Sequence, residues 1–225
     1  MKLLSIETAL IATLIMASAT ASAAPATIFI SEVDSGGSST SYGADWFELT
    51  NNTASAINIT GWKMDDSSNA FANAVALRGV TSIAAGKSVI FIEGASTSAG
   101  DSTLNAAFLA AWFGTNIPAN ITLGNYGGSS VTLGSSGDMV NIFNSSGTKI
   151  TSVTFGALTT GKTFNNATGL TGTISTLSAL GVNAGITSFS TSEIGSPFAV
   201  PEPESYALLL AGLVLIGAIS RKRQT

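Results

Sequence analysis

Most of the chain between residues 27 and 197 consists of short apolar runs separated by small polar residues. Residues 27–33, 45–50 and 56–60 have the length of strands, and within 45–50 apolar and polar side chains alternate. Residues 87–93 form a continuous apolar run, which is typical of a buried central strand. The pattern therefore predicts a mostly β domain.

Two further segments add a hairpin and a helix to this prediction. Residues 138–143 and 149–155 are strand-like runs on either side of residues 144–147, whose sequence Asn-Ser-Ser-Gly predicts a hairpin turn. Residues 104–113 are rich in Ala and repeat large apolar side chains every four positions, which predicts a short amphipathic helix ended by Gly114. Many short strands joined by small polar turns indicate a β-sandwich that carries one short helix.

The N-terminal end of the chain has the pattern of a secretory signal peptide. Lys2 supplies a positive charge, an apolar run follows over residues 9–17, and Ala21 and Ala23 form an A-x-A site before Ala24. The alternative is an uncleaved membrane anchor, but the apolar run is shorter than the roughly 20 residues that a membrane-spanning helix needs. We therefore expect signal peptidase to cleave between Ala23 and Ala24.

The C-terminal end contains three parts in a fixed order. A Pro-Glu-Pro segment comes first, an apolar segment over residues 206–220 follows, and a basic cluster comes last. The first part consists of Pro201, Glu202 and Pro203, and the last part of Arg221, Lys222 and Arg223. On physical grounds alone these parts indicate a single-pass tail anchor whose basic cluster stays in the cytoplasm.

The order of the three parts closely resembles the PEP-CTERM sorting signal of exported bacterial proteins. The resemblance implies that an exosortase, a membrane enzyme, processes the chain at the Pro-Glu-Pro segment and that the tail is removed. It also implies transient passage through the inner membrane of a Gram-negative-type bacterium and a final location in the cell envelope or outside the cell. Such bacteria typically make extracellular polysaccharide, so the implied partners include that polysaccharide and other matrix proteins.

Composition narrows the possible chemistry. Only 10% of the residues are charged, against roughly 25% in ordinary soluble domains. The absence of His and Cys excludes a Ser-His-Asp triad, a Cys nucleophile, the usual zinc sites and any disulfide. The net charge of −4 and the isoelectric point near 4.6 argue against nucleic acid as a partner. We therefore expect no cofactor and no nucleic-acid partner.

These observations divide the chain into a signal peptide (1–23), one domain (24–199) and a sorting signal (200–225). The mean hydropathy of +0.41 would suit a membrane protein, yet much of it comes from the two ends. The domain carries five basic and ten acidic residues, so its net charge of −5 is more acidic than that of the whole chain. One domain of this length is large enough to bury a good core.

A set of motifs in the domain resembles the lamin tail domain. The most specific part is a Trp-hydrophobic-Glu-Leu sequence followed by a Gly-Trp pair, and residues from about 26 to 197 fit the family in order, except that 164–189 fits poorly. The family-motif positions are Glu32, Asp45, Trp46, Glu48, Gly61 and Trp62. The resemblance implies an immunoglobulin-like β-sandwich with a binding or scaffold role. We interpret Glu32 and Glu48 first as structural residues, because strand carboxylates often bond neighbouring backbone groups.

Two kinds of binding site compete with simpler interpretations of the same residues. A carbohydrate-binding module would need exposed aromatic platforms, and Trp62 or Trp46 could supply one, although large aromatic side chains more often pack in cores. A calcium site would need several carboxylate oxygens, for which Asp34, Asp65 and Asp66 are weak candidates. Their spacing matches no calcium loop, and a solvated acidic surface explains them equally well.

The function that the sequence favours is a non-enzymatic structural or binding module, exported and sorted by its C-terminal signal into the envelope or extracellular matrix. A carbohydrate-binding module is the alternative. A hydrolase is a third possibility, and it requires two carboxylates that converge across a cleft. The sequence contains carboxylate pairs but no evidence that any pair converges.

Overall fold

The computed structural model describes residues 27–119, 121–127 and 131–199. The strands, in chain order, are β1 (Ile28–Asp34), β2 (Trp46–Asn51), β3 (Ile57–Asn58), β4 (Lys63–Asp65), β5 (Val75–Ala76), β6 (Ser82–Ile83), β7 (Lys87–Glu93), β8 (Leu123–Tyr126), β9 (Asp138–Phe143), β10 (Lys149–Phe155), β11 (Phe164–Asn165), β12 (Gly172–Ile174), β13 (Ile186–Thr187) and β14 (Ile194–Gly195). One α-helix, α1 (Asp101–Phe113), and one short 3₁₀ helix, Gly37–Ser39, complete the described elements.

Two five-stranded sheets form an immunoglobulin-like β-sandwich. Sheet one has the order β11-β1-β2-β7-β8, and sheet two has the order β12-β10-β9-β4-β5. Most neighbouring strands are antiparallel, whereas β8 is parallel to β7 and β12 is parallel to β10. The predicted hairpin is confirmed, because β9 and β10 pair antiparallel around the turn at residues 144–147.

An apolar core fills the space between the two sheets. In β2 the inward side chains are Phe47 and Leu49, as the alternation predicted, and both are fully buried. The Phe47 ring stacks on Phe91 of β7, with ring centroids 5.5 Å apart, and lies 5.3 Å from the Tyr126 ring. The prediction of a buried strand at 87–93 is confirmed, because β7 lies between β2 and β8.

Helix α1 covers the outer face of sheet one with a second apolar cluster. Trp46 of β2 points away from the core and meets Phe108 and Trp112 of the helix edge-to-face, with ring centroids 5.7 and 5.8 Å apart. The helix begins three residues before the predicted range. Gly114 ends the helix as predicted, in a positive-φ conformation (φ 58°) that favours glycine.

The C-terminal segment, which we define as residues 158–199, packs on the outer face of sheet one beside α1. It contributes β11 at the edge of sheet one and β12 at the edge of sheet two, so it completes both sheets. Its backbone also bonds to the end of the helix, where the amides of Phe189 and Ser190 donate to the carbonyls of Trp112 and Ala111. The stretch 164–189, which fits the family motifs poorly, therefore belongs to the same folded unit.

The predicted signal peptide and sorting tail lie outside the described residues. Within residues 27–119, 121–127 and 131–199, no helix is long and apolar enough to cross a membrane.

Candidate functional site: buried carboxyl groups and the cleft beside them

Two family-motif glutamates face each other on the outer side of sheet one. Glu32 of β1 is the register partner of Glu48 of β2, and each side chain is only 1% exposed. A β-bulge between Ile30 and Glu32 shifts the register, and Ser31 and Glu32 both bond to outer-face groups as a result. The bulge therefore gives two adjacent positions of β1 a polar role on the outer face.

Glu32 is the main attachment point of the C-terminal segment. Its carboxyl group accepts hydrogen bonds from the hydroxyl of Thr163, from the amide of Ser196 at 2.7 Å, and from the Ser196 hydroxyl at 3.1 Å. Ser178 adds a longer bond at 3.3 Å. Burial raises the pKa of Glu32 to about 7 although these donors favour the charged form. All of the donors belong to the C-terminal segment, so this carboxyl group joins that segment to β1.

Glu48 holds the end of the same segment. It accepts a hydrogen bond from the Ser31 hydroxyl at 2.6 Å and another from the backbone amide of Phe198. Burial raises the pKa of Glu48 to about 8, and the neighbouring charge of Glu32 raises it further. Like charges directly opposite each other on a sheet are unfavourable, so the protonated form of Glu48 fits this site best at neutral pH.

A third group of buried residues joins Asp34, Tyr42 and Glu193. The Tyr42 hydroxyl lies 3.0 Å from Oδ2 of Asp34 and 3.1 Å from Oε2 of Glu193, and it accepts a hydrogen bond from Nε1 of Trp46 at 3.2 Å. Burial raises the pKa of Asp34 to about 8, with a further contribution from the charge of Glu193. Burial also raises the pKa of Glu193. The two carboxyl groups therefore share at least one proton near neutral pH.

A cleft of about 340 Å³ lies beside this carboxyl pair. Hydroxyl side chains dominate its wall, and Lys162 is the basic residue in it. The lining residues are Asp34, Gly36, Ser39, Thr40, Ser41, Leu158, Thr159, Thr160, Gly161, Lys162, Ser190, Thr191 and Glu193. A wall that combines many hydroxyl groups with some apolar surface, including Leu158, suits a small polar ligand or one unit of a polar polymer.

Asp34 and Glu193 are a pair of the kind that a hydrolase needs, but their arrangement differs from the required one. Both carboxyl groups bond to the one hydroxyl of Tyr42, whereas glycosidase carboxylates stand roughly 5–9.5 Å apart with the substrate between them. Their oxygens are also occupied by internal donors, namely the amide of Gly36 for Asp34 and the hydroxyl of Thr191 for Glu193. This arrangement organises the loops that border the cleft.

All three tryptophans are buried, so none of them forms the aromatic platform that a carbohydrate-binding module would need. Trp46 is fully buried, Trp112 is 1% exposed and Trp62 is 8% exposed. Trp62 belongs to the core between the sheets, and Gly61 before it has a positive φ of 76° in the turn that leads into β4. Both side chains pack in apolar clusters, as the simpler interpretation of the sequence held, so neither offers a platform for a sugar.

The calcium candidates do not converge. Asp34 lies on sheet one, whereas Asp65 ends β4 of sheet two. Asp65 accepts hydrogen bonds from the Ser68 hydroxyl and the Ala70 amide, both at 2.7 Å, and Asp66 accepts one from the Ser68 amide. In the described parts of the chain, no group of three or more His, Cys, Asp or Glu side chains could hold a metal ion. Asp65 and Asp66 thus shape the turn after β4.

Asp45, another family-motif position, lies at the start of β2 and is 4% exposed. Its carbonyl oxygen accepts a hydrogen bond from the amide of Glu93 at 2.8 Å. Burial raises the pKa of the half-buried Glu93 to about 7, with a smaller contribution from Asp45. Asp45 and Glu93 therefore lie next to each other where β2 begins and β7 ends.

Sequence reasoning missed Tyr42, Glu193 and the hydroxyl donors of the C-terminal segment. Glu193 and the hydroxyl donors are far from Glu32 and Asp34 along the chain, and the segment that carries them lacks a clear strand pattern. Tyr42 is only eight residues from Asp34, but it lies in a stretch of Gly and Ser without a strand or helix pattern. The one usable signal was the isolated Glu193, since no other charged residue occurs between Lys162 and the end of the domain.

Comparison with known proteins agrees with this architecture. The family model of the Lamin Tail Domain matches residues 21–157, which is more than half of the chain, and a PEP-CTERM protein-sorting motif matches residues 199–224. No curated protein matches the chain. The sorting motif marks an exported protein of the bacterial envelope or surface that an exosortase processes. The matched sandwich contains Glu32, Asp45 and Glu48, and the chain therefore belongs to the lamin tail domain family.

Proposed function

We propose that this protein is a non-enzymatic structural or binding module of the extracellular matrix, delivered through its sorting signal. The observation that carries the proposal is the combination of a lamin tail domain with a PEP-CTERM motif at residues 199–224. Signal peptidase would remove residues 1–23, and the exosortase would remove the tail at Pro201, Glu202 and Pro203. Biofilm or exopolysaccharide would then be the setting in which the domain acts.

The way in which the domain uses its carboxyl groups supports a structural role. The buried acids Glu32, Glu48 and Asp34 bond to neighbouring strands and to the C-terminal segment. A catalytic carboxyl group must instead present an oxygen to a substrate. The acidic residues identified above thus stabilise one architecture, as a scaffold module requires.

A deletion strain tests the matrix role. Loss of the gene should reduce biofilm or aggregate formation, and a plasmid that encodes the full chain should restore it. A matched plasmid should encode the chain without residues 200–225, and it should fail to restore the phenotype because sorting is lost. A deletion strain that forms normal biofilm would contradict the matrix role.

Carbohydrate binding is the second candidate function, and its proposed site is the cleft beside Asp34 and Glu193. The observation that favours it is the hydroxyl-rich wall, in which Thr160, Ser190 and Lys162 can bond to the hydroxyl groups of a sugar. Lys162 is also suited to an acidic saccharide, since it is the cation in the wall.

A pull-down with the native exopolysaccharide tests this candidate. Thr160→Val together with Lys162→Met should reduce binding at least several-fold. Thr148→Val, an exposed change in the turn between β9 and β10, is the matched control and should bind normally. Equal binding by all three proteins, or binding by none, would reject the cleft as the carbohydrate site.

A further inference from the structure

Exposed apolar side chains are concentrated in two parts of the described chain. The large apolar residues with high exposure are Ile117, Leu170, Leu180, Val182, Ile186 and Phe189. Phe189 is the extreme case, with 75% of its surface exposed. An exposed Phe next to a well-packed core needs an explanation, because burying one such side chain contributes roughly 1.5–3 kcal/mol.

The same two parts of the chain carry no charge. No Lys, Arg, Asp or Glu occurs over residues 102–137 or over residues 163–192, and these two stretches supply all of the exposed apolar residues above. The domain has a net charge of −5, so uncharged stretches of this length stand out. Their surface can be buried against an apolar partner without the cost of removing a charged group from water. The charged residues that border the two stretches in sequence are Asp101, Asp138, Lys162 and Glu193.

Three of these residues lie near the C-terminal end of α1. The Phe189 ring lies against Gly114, where an added Cβ would come within 3.0 Å of it. Ile117 follows three residues later, after a turn in which the Asn116 amide donates to the Phe113 carbonyl. Ile186 of β13 is the register partner of Gly195, which itself lies against Trp112 of α1. We call Ile117, Ile186 and Phe189 the apolar face.

The chain leaves the domain at the same place. The Phe198 ring packs on Phe113, the residue before Gly114, with ring centroids 6.1 Å apart. Residue 199 is the last described residue, and only residues 200–205 separate it from the apolar segment that begins at Tyr206. Six extended residues span about 20 Å. A membrane-inserted tail would therefore hold this end of the domain next to the bilayer surface.

We propose that the apolar face rests on the lipid bilayer while the tail is inserted, so that the domain docks on the membrane before the tail is removed. The partner is the interfacial region of the bilayer, into which Phe and Ile side chains insert. This inference rests on the proposed function, because it requires that the apolar segment 206–220 enters the membrane before the exosortase removes the tail. Docking would orient the domain and keep the Pro-Glu-Pro segment at the membrane surface.

Fluorescence quenching in vesicles tests the docking, and the absence of Cys from the chain makes single-site labelling straightforward. The full chain is reconstituted in phosphatidylcholine vesicles with an environment-sensitive dye at Phe189→Cys, Ile117→Cys, Ser146→Cys or Leu213→Cys. Ser146 is the matched surface control, in the exposed turn of sheet two, and Leu213 reports on tail insertion. Lipids with a nitroxide on the acyl chain quench dyes that enter the bilayer.

We expect the dyes at 189 and 117 to be quenched at least two-fold more than the dye at 146, with strong quenching at 213. Quenching at 213 without quenching at 189 and 117 would overturn the docking and leave tail insertion intact. Absence of quenching at 213 would overturn both, and it would identify the tail as the point of failure. As a second variant, Phe189→Glu should lower the quenching at 117, because a buried carboxylate opposes insertion.

Discussion

Sheet one has two buried faces, and they are held in different ways. Its inner face packs Phe47, Phe91 and other apolar side chains against sheet two. Its outer face is covered in part by the C-terminal segment, which bonds to Glu32 and Glu48 through hydroxyl and amide donors. The inner interface is stabilised by the burial of apolar side chains away from water, so a change of pH should hardly affect its stability. The outer interface depends on the protonation of buried acids.

The largest effect should come from truncation of the inner face. Phe47→Ala removes a fully buried ring that contacts two others, so the free energy of unfolding should fall by about 3–5 kcal/mol. Phe189→Ala is the matched control, and because its ring is 75% exposed the change should be below about 1 kcal/mol. Urea denaturation measures both, and equal losses would contradict the assignment of the inner face.

A single methyl group should disturb the outer interface. In Gly195→Ala the new Cβ would lie 2.6 Å from Cη2 of the buried Trp112 and 3.0 Å from Oε1 of Glu32. Overpacking of this kind should destabilise the protein by about 2 kcal/mol. Gly156→Ala is the control, since a methyl group added there would have no other atom within 4 Å, and it should leave the denaturation midpoint nearly unchanged. If the two variants had the same melting temperature, the close contact of Gly195 with Trp112 and Glu32 would be ruled out.

The pH dependence of stability separates the two interfaces. The pKa of Glu48 is about 8 in the folded protein and near 4.5 without the fold, so the folded state binds more protons between these values. The free energy of unfolding should therefore fall as the pH rises from about 4.5 through about 8.

Glu48→Gln should flatten this profile, because the amide stays neutral over the whole range. Glu32 contributes in the same direction, since its pKa of about 7 is also raised. Ser146→Ala, an exposed turn substitution, should keep the original profile. Stability that rises between pH 5 and pH 8 in the unmodified protein would show that the acids are charged and paired in the folded state.

The smallest effect concerns an ion pair outside both interfaces. Nε and Nη2 of Arg78 donate to Oδ2 and Oδ1 of Asp101 at 2.7 and 2.9 Å, at the start of α1. Both side chains are partly exposed, so Arg78→Met should cost only about 1 kcal/mol. Lys87→Met, on an exposed residue, should cost less in the same urea titration. A loss as large as that of Phe47→Ala would mean that the pair anchors the helix.

The inner face could be predicted from the sequence, and the outer interface could not. Alternation at 45–50 placed Phe47 and Leu49 on one side and Trp46 and Glu48 on the other, and the structure agrees. Periodicity reveals which side chains avoid water, because apolar burial follows strand geometry. It does not reveal that Trp46 lies under a helix instead of facing a ligand.

The hydroxyl groups that donate to Glu32 could not be predicted from the sequence for a different reason. Ser and Thr are abundant in the chain, and no local pattern distinguishes Thr163 or Ser196, which bond to Glu32, from exposed residues of the same type. Hydrogen bonds between residues more than a hundred positions apart depend on the final path of the chain. The family resemblance marked Glu32 and Glu48 as motif positions, but only the structure supplies their partners.

Mass spectrometry of the exported protein is the most direct test of the central claim, which is delivery of a processed lamin tail domain. We expect an N-terminus at Ala24, a C-terminus close to Pro201 and retention of the C-terminal segment. No peptide from residues 206–219 should be present. An exported protein that keeps its complete tail would show that the exosortase does not process this chain.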